Sequence, residues 1–215
     1  MLTIYGNEVS SPCNKVRFVA NALGLPYEYK HVDLRGGENK FETFLKLNPS
    51  GKVPVIVDDG FSLFESNAII KYLSEKAGSP LYPKDLRQRV TVDQWMDFSS
   101  LHIGTAMQRV FVNRVLYQFV GMEKDERSLK DGIDFLGRFL PVVEGQLKNN
   151  KFIAGPEMTV ADFCLLAHLD PAEISQVDLS AYSSLTRWRN GLKDKEFYQK
   201  CFPSYEQMLM KLAAK

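Results

Sequence analysis

A serine and a cysteine three residues apart follow the first β-prone run of the sequence. Ser10 and Cys13 belong to the segment Ser10-Ser11-Pro12-Cys13, which lies between a strand-like pattern and a helix-like pattern. The spacing is that of a Cys-x-x-Cys redox pair, with a serine in the place of the first thiol. Because the N-terminus of a helix stabilises negative charge, the segment predicts a site for a thiolate supplied by a ligand, with Ser10 donating to the sulfur.

The interactions available at such a helix start are strong enough to ionise a thiol. A free thiol has a pKa of about 8.5, and each unit of depression requires about 1.36 kcal/mol. A hydrogen bond to a charged group contributes roughly 1.5–3 kcal/mol, and a helix N-terminus roughly 0.3–1 kcal/mol. Ser10 and Ser11 are also typical helix caps, and the sequence leaves open which hydroxyl would contact the sulfur. With only three histidines in the chain, a Ser-His-Asp triad has little support.

Two later segments predict contacts to a peptide ligand. Lys52-Val53-Pro54 opens the third strand, and we expect a cis Val53–Pro54 bond that turns the Val53 backbone toward a bound peptide. Glu65 and Ser66 stand where the following hairpin leads into a helix. Ser66 could bind a carboxylate at the helix N-terminus and Glu65 an ammonium, which are the two charges of a γ-glutamyl group. The alternatives are an ordinary edge-strand proline and a plain N-cap with Glu65 solvated.

The pattern up to Pro80 places these segments at the ends of strands and the starts of helices. Strand-like and helix-like stretches alternate, and Asp58-Asp59-Gly60 predicts a hairpin turn. The order β-α-β-α-β-β-α indicates an α/β, thioredoxin-like domain with a mixed sheet over residues 1–78. The predicted strands cover residues 2–5, 27–34, 53–57 and 61–64, and the predicted helices cover residues 16–23, 41–45 and 68–77.

The rest of the chain is predicted to be helical. The proline-rich stretch 79–83 favours a linker over residues 79–86, followed by an all-α helical C-terminal domain over residues 87–215. Thr159 and Asp162 form a capping-box pattern, with aspartate in place of glutamate, which we interpret as a folding feature. Helical spacing predicts three apolar faces. They are formed by Val92, Trp95, Met96 and Ser99, by Phe135, Phe139, Val142 and Val143, and by Phe163, Leu166 and Ala167.

Composition argues against several classes of partner. Lys plus Arg number 27 and Asp plus Glu 26, a balance that gives no electrostatic footprint for nucleic acid or for an anionic membrane. The first residues lack a signal-peptide pattern, and the sequence has no apolar run long enough to span a bilayer. Cys13, Cys164 and Cys201 match no disulfide or metal framework and suit a reducing compartment. We therefore expect a cytoplasmic protein that acts on small molecules without a metal.

Together these residues give the sequence a close resemblance to the cytosolic glutathione S-transferase family, over essentially the whole chain. The chain is identified as a bacterial member of the serine-type classes (delta, theta, phi and zeta). The resemblance implies glutathione as co-substrate, a small electrophile as second substrate, and a homodimer. It also implies the glutathione transferase fold, in which the helical domain supplies most of the second-substrate pocket. The matching segments are residues 10–13, 47–54, 63–66, 68–69, 72–73 and 159–162.

The same resemblance assigns roles in the glutathione site. Ser10 takes the catalytic, thiolate-stabilising role, although Tyr5 lies in the first strand, where tyrosine-type members carry theirs. Asn39 stands where many serine-type members have a histidine near the glycine carboxylate, so that this contact would lack a charge. The implied glutathione-binding residues are Ser11, Asn39, Lys40, Lys52, Val53, Pro54, Glu65 and Ser66.

The second-substrate pocket is expected beside the loop that carries Glu8 and Val9. His102, Met107 and Phe111 lie along a helical stretch that should line the same cleft, with plain packing as the alternative for each. Arg109 and Arg114 either are solvated or would suit an acidic co-substrate.

Three functions are compatible with this resemblance. The first is a transferase that joins glutathione to an electrophile. The second is a glutathione-dependent isomerase or peroxidase, since Ser10-Ser11 and Val16-Arg17 faintly resemble maleylacetoacetate isomerases. The third is a non-enzymatic member of the fold, similar to the bacterial stringent-starvation regulators that bind RNA polymerase. Ser10, Glu65 and Ser66 argue against the third, because a pure scaffold has no need of a γ-glutamyl site.

Overall fold

A four-stranded mixed sheet and three helices form the first part of the structure, a computed structural model that describes residues 1–201. Residues 202–215, the end of the predicted helical domain, lie outside the described residues. The elements are β1 (Leu2–Gly6), α1 (Ser11–Ala22), β2 (Tyr27–His31), α2 (Glu42–Leu45), β3 (Val55–Asp58), β4 (Phe61–Phe64) and α3 (Ser66–Lys76). The strand order is β2-β1-β3-β4, with β1 parallel to β2 and antiparallel to β3. The predicted α/β, thioredoxin-like architecture is confirmed.

The register of the sheet divides its side chains between two helical layers. Ile4 lies opposite Ile56, and both are fully buried in the main core with α1 and α3. Tyr5 lies opposite Val55, and this pair packs with Phe44 of α2 in a separate cluster. Because successive strand residues point to opposite faces, one register places helices on both sides of the sheet. The end of β1 then delivers the chain directly to the start of α1.

Several element boundaries differ from the sequence prediction, among them those of β2, β3 and α3. β2 ends at His31, because a turn starts at Asp33. The Asp33 carboxylate accepts hydrogen bonds from the Arg35 N–H and the Gly36 N–H. β3 begins at Val55, since Pro54 has no N–H to donate to the ladder. α3 begins at Ser66, two residues earlier than the apolar spacing indicates.

The second part of the structure is helical. The first three helices, α4 (Leu86–Phe98), α5 (Thr105–Phe111) and α6 (Tyr117–Val120), follow one another through two π-helical turns, Ser99–Gly104 and Val112–Leu116. The predicted linker, residues 79–86, falls between α3 and α4, with its last residue already in α4; the domain boundary itself stays a prediction. The helices that follow are α7 (Glu126–Asn149), α8 (Val160–Leu169), α9 (Ser183–Lys193) and α10 (Glu196–Gln199).

Helix α8 is almost completely buried. All of its residues except His168 are buried, and it packs against α1 and α4. The predicted capping box is present: the Thr159 side chain accepts from the Asp162 backbone N–H, and the Asp162 side chain accepts from the Thr159 backbone N–H. The Asp162 carboxylate also accepts from the Ile153 N–H and the Trp188 indole N–H, both at 2.9 Å.

The predicted apolar face of α7 is rotated from the one that the structure buries. Of the predicted residues only Val143 is fully buried, whereas Val142 is 47 % exposed. Phe135 and Phe139 lie at the margin of the core. The face that packs against the domain consists of Leu129, Gly132, Leu136, Leu140, Val143 and Leu147.

Among residues 1–201, no helix has the length and apolar character needed to cross a bilayer. The same residues contain no cluster of three or more His, Cys, Asp or Glu side chains that could hold a metal ion.

Candidate functional site

Two asparagines fix the loop between β1 and α1. The Asn7 side chain donates to the Val32 carbonyl at 3.1 Å and accepts from the Val9 N–H at 3.1 Å. Asn14, on the first turn of α1, donates to the Glu8 carbonyl at 2.8 Å. The backbone that leads to Ser10 is therefore held from both sides.

Ser10 occupies the N-cap position of α1, but not as a side-chain cap. Its carbonyl accepts from the Cys13 N–H at 2.9 Å and the Asn14 N–H at 3.0 Å, which starts the helix. Its hydroxyl makes no capping hydrogen bond to the first turn. The interpretation of Ser10 as a plain cap is therefore wrong for its side chain. Ser11 is the first residue of the helix.

Cys13 lies beneath Ser10 and is fully buried. Its sulfur accepts from the Asn7 N–H at 3.4 Å and hydrogen-bonds with the Ser10 hydroxyl. Burial raises the pKa of the Cys13 thiol to about 11, with the hydrogen bonds from Ser10 and Asn7 opposing that shift. Cys13 is therefore protonated at neutral pH, and a thiolate at this helix start would have to come from a ligand.

The segment that leads into β3 has a cis peptide bond and a turn fixed by a side chain. The Val53–Pro54 bond is cis, as predicted. Val53 precedes the first residue that pairs with β1, Val55, so its backbone lies outside the ladder. Asn48, which is 2 % exposed, donates to the Lys52 carbonyl at 2.7 Å and fixes the preceding turn.

Asn39 ties the short helical turn Glu38–Lys40 to that segment. Its side-chain amide donates to the Gly51 carbonyl at 2.7 Å, which uses one of its two amide hydrogens. Lys40 and Lys52 are exposed, and neither has an ion pair with any residue in 1–201. Their charges are available to an anion.

The turn before α3 has an unusual backbone. Glu65 has φ 69° and ψ 106°, a region that favours glycine and that persists in other residues mainly where the surroundings enforce it. Glu65 is the N-cap, is exposed, and makes no capping hydrogen bond. Ser66 is the first helical residue, so its interpretation as an N-cap is wrong. The start of α3 thus points its N–H groups and dipole past Glu65 and Ser66.

Sequence analysis missed Lys15, which meets Ser66 from α1. Lys15 is 1 % exposed, and its Nζ atom donates to Ser66 Oγ at 3.1 Å and to Asn67 Oδ1 at 2.6 Å. The signal was a lysine at helical spacing from the apolar residues Phe18 and Val19, on the face that packs inward.

An apolar cluster joins the loop to the helical domain. Val9 packs against Phe111 and Val115, so the structure brings two of the predicted pocket residues together. The other members, which the sequence did not single out, are Leu116, Phe119 and Ile174.

The remaining predicted pocket residues have other neighbours. Glu8 contacts His31 Nδ1 at 2.6 Å. The His102 ring stacks on Phe139 of α7, with 4.5 Å between ring centroids. Met107 is 1 % exposed in the main core. The two arginines are engaged as well: Arg109 lies 3.7 Å from an Asp131 oxygen, and Arg114 donates to two backbone carbonyls near residue 175.

Comparison with known proteins assigns the chain to a class. Residues 4–81 match the family model of the glutathione S-transferase N-terminal domain, and residues 100–196 match that of the C-terminal domain. The chain belongs to the glutathione S-transferase family and is a glutathione transferase.

Solved structures agree with this assignment. An epsilon-class enzyme from the housefly Musca domestica is 32 % identical over 100 % of this chain and 96 % of its own, with a TM-score of 0.83. A glutathione S-transferase from Pseudomonas fluorescens is 32 % identical over 91 % of this chain and 96 % of its own, with a TM-score of 0.81. A glutathione S-transferase-I bound to lactoylglutathione is 25 % identical over 93 % and 97 %, with a TM-score of 0.86. Because similar proteins come from an insect and from a bacterium, the bacterial origin stays a prediction.

Proposed function

We propose that this glutathione transferase ionises the thiol of glutathione at the start of α1 and adds the thiolate to a small electrophile with an apolar body. The observation that carries the proposal is Ser10, which stands at the N-cap of α1 with a hydroxyl that does not cap the helix. Because the Cys13 thiol is protonated, it can donate to Ser10 Oγ, and the Ser10 hydrogen is then donated to the ligand sulfur. The helix N-terminus stabilises the charge of that sulfur. The thiol proton passes to solvent, the sulfur forms a bond to carbon, and a leaving group departs or a conjugated double bond accepts the electron pair.

The rest of the tripeptide is bound at three places around Ser10. The γ-glutamyl carboxylate meets Ser66 and the start of α3, while Glu65 pairs with its ammonium. The cysteinyl backbone pairs with Val53 as an added strand. Ser11, Asn39, Lys40, Lys52 and Pro54 complete the site, with the two exposed lysines facing the glycine carboxylate.

The position of Tyr5 supports the choice of Ser10. Tyr5 packs with Val55 and Phe44 on the face of the sheet that α2 covers. Ser10 is instead the N-cap residue of α1, which packs on the opposite face with Ile4. A tyrosine hydroxyl directed toward the start of α1 would have to reverse the side-chain alternation of β1.

The cluster around Val9 supports an apolar electrophile. Val9 adjoins the proposed sulfur position in sequence, and Phe111 and Val115 bring the helical domain to it. Arg109 and Arg114 both have partners in the structure, which favours an apolar substrate over an acidic one.

The proposed partner is a second copy of this chain, and the proposed compartment is the cytoplasm. Phe61 and Phe64 lie on the edge strand β4 and are 50 % and 38 % exposed. Leu86 and Val90, one turn apart on α4, are also exposed. Exposed apolar side chains of this kind are typical of an interface, and sedimentation of the wild type beside Leu86→Glu tests the dimer. Three buried free thiols fit a reducing compartment.

A binding and turnover experiment tests the function. Calorimetry measures glutathione affinity, and turnover is followed with aryl halides, enones, epoxides, an isomerisable cis-enone and a hydroperoxide. We expect conjugation with apolar members of the panel. Turnover only of the cis-enone or of the hydroperoxide would favour the isomerase or peroxidase, and absence of glutathione binding would favour a non-enzymatic regulator.

The role of Ser10 is tested by the titration of bound glutathione. Ser10→Ala should raise the pKa of the bound thiol by about 1–2 units, because a hydrogen bond to the charged sulfur is lost, and should leave affinity nearly intact. Thiolate absorbance against pH measures it. An unchanged pKa in Ser10→Ala together with an inactive Ser11→Ala would transfer the role to Ser11.

A further inference from the structure

Lys15 is a buried cation whose hydrogen-bond partners in the described residues are neutral. Only 1 % of its surface is exposed to solvent, and its Nζ atom donates to Ser66 Oγ and Asn67 Oδ1. Within residues 1–201 no carboxylate lies within ion-pair distance of it. Buried charges are otherwise paired, because desolvation of an isolated ion is strongly unfavourable. The position therefore favours an anion supplied from outside the described chain.

The hydrogen bond to Ser66 has a fixed direction. An ammonium group can only donate, so Ser66 Oγ must be the acceptor in its contact with Lys15 Nζ at 3.1 Å. A hydroxyl that accepts from one side keeps its own hydrogen for another partner. Ser66 therefore keeps its hydroxyl hydrogen for a ligand bound at the start of α3. An ionised carboxylate can only accept hydrogen bonds, so it is the group that matches this donor.

Asn67 extends the arrangement into the helical domain. Its Oδ1 atom accepts from Lys15, and its Nδ2 atom donates to Ser100 Oγ at 3.0 Å. Ser100 Oγ in turn lies 3.3 Å from the Cys164 sulfur in α8. The orientation of the Asn67 amide is therefore fixed at both ends, and Lys15 is held against Ser66 by both parts of the structure.

We propose that Lys15 is a positioning residue that makes the γ-glutamyl site specific for a carboxylate. It acts through Ser66, whose hydroxyl it sets as a donor, and through its charge, which the ligand carboxylate neutralises. The inference rests on the proposed function, because it assigns the α-carboxylate of glutathione to the start of α3.

Three ligands separate this role from a merely structural one. They are glutathione, an analogue without the α-carboxylate (γ-aminobutyryl-cysteinyl-glycine), and an analogue without the α-ammonium (glutaryl-cysteinyl-glycine). Lys15→Met keeps the length of the side chain but removes its charge and its donors. It should weaken the two ligands that keep the γ-glutamyl carboxylate by about 10- to 100-fold in Kd, and should leave the affinity for the first analogue nearly unchanged.

Two further variants complete the experiment. Lys148→Met removes the same charge from an exposed position of α7 and should alter none of the three affinities. Asn67→Asp supplies a carboxylate beside Lys15 and should also selectively weaken the two ligands that keep the γ-glutamyl carboxylate, so the test survives if Lys15→Met does not fold. The proposal for Lys15 would be overturned if Lys15→Met and Asn67→Asp each weakened all three ligands equally, or if both left the affinity for glutathione unchanged. Failure of the wild type to bind glutathione would instead overturn the proposed function.

Discussion

The Ser10 hydroxyl and the Cys13 thiol hydrogen-bond to each other across the first turn of α1. In a Cys-x-x-Cys pair these two positions would hold the attacking and the buried sulfur. Here the position at the helix start is a hydroxyl, and the sulfur beneath it is protonated and enclosed. The geometry thus places a hydroxyl at the helix start and encloses the protein's own thiol.

The reactivity of Cys13 should show the pKa that burial imposes. Because the pKa is raised to about 11, the thiolate fraction is small at pH 7–9 and increases only as pH approaches that value. Alkylation of Cys13 in the native protein should therefore be slow near neutrality and accelerate at more alkaline pH, beyond the usual inflection at about 8.5. Mass spectrometry of native protein against pH measures this, with unfolded protein as the reference. Rapid labelling at pH 7 would show that the thiol is neither enclosed nor protonated.

Ser66 should determine glutathione affinity and leave the thiol pKa unaffected. Ser66→Ala removes a donor to the γ-glutamyl carboxylate and leaves Lys15 with one acceptor fewer, so Kd should rise by about 10- to 100-fold. Calorimetry measures the affinity. Ser183→Ala, an exposed serine at the start of α9, is the matched control. Unchanged affinity in Ser66→Ala would place the γ-glutamyl group elsewhere.

Val9 should affect the KM for the electrophile and not the affinity for glutathione. Val9→Ala removes apolar surface from the cluster with Phe111 and Val115, so KM for an apolar electrophile should rise by about 3- to 10-fold. Val142→Ala, on an exposed face of α7, is the control. Initial rates at saturating glutathione check this. A change in glutathione affinity with KM for the electrophile intact would contradict the assignment of this cluster.

Asp162 should contribute to stability and not to chemistry. Asp162→Ala removes the capping box of α8 and leaves the Ile153 N–H and the Trp188 indole N–H without their acceptor, at a cost of about 2–4 kcal/mol. Denaturant unfolding measures the loss. Asp134→Ala, at an exposed i, i+4 pair of α7, should change stability by less than about 0.5 kcal/mol. A loss of turnover in Asp162→Ala at full stability would point to a catalytic role.

Local signals explain which parts of the fold were predictable. The alternation of strands and helices, the turn at Asp59 and Gly60, and the capping box depend on residues a few positions apart, so they can be read from spacing. The predicted apolar face of α7 is wrong because it was centred on Phe135 and Phe139, which lie at the margin of the core. The residues that pack inward are smaller and give a weaker apolar pattern. Gly132 is one of these, and the Ala106 carbonyl lies 2.9 Å from the position that a Cβ atom would occupy. That close approach is a property of the helix pair and not of either sequence segment.

The sequence by itself determined that Ser10 lies between the first strand and the first helix, that a proline lies at the start of the third strand, and that Glu65 and Ser66 lie where the hairpin leads into a helix. Each of these is set by strand and helix patterns within a short stretch of chain. Only the tertiary structure decided that the Ser10 hydroxyl meets Cys13 and does not cap, and that Lys15 meets Ser66 from 51 residues away. The physical reason is that a hydrogen bond between α1 and α3 depends on how both helices pack on one sheet, and the same packing turns an ordinary lysine into an enclosed cation.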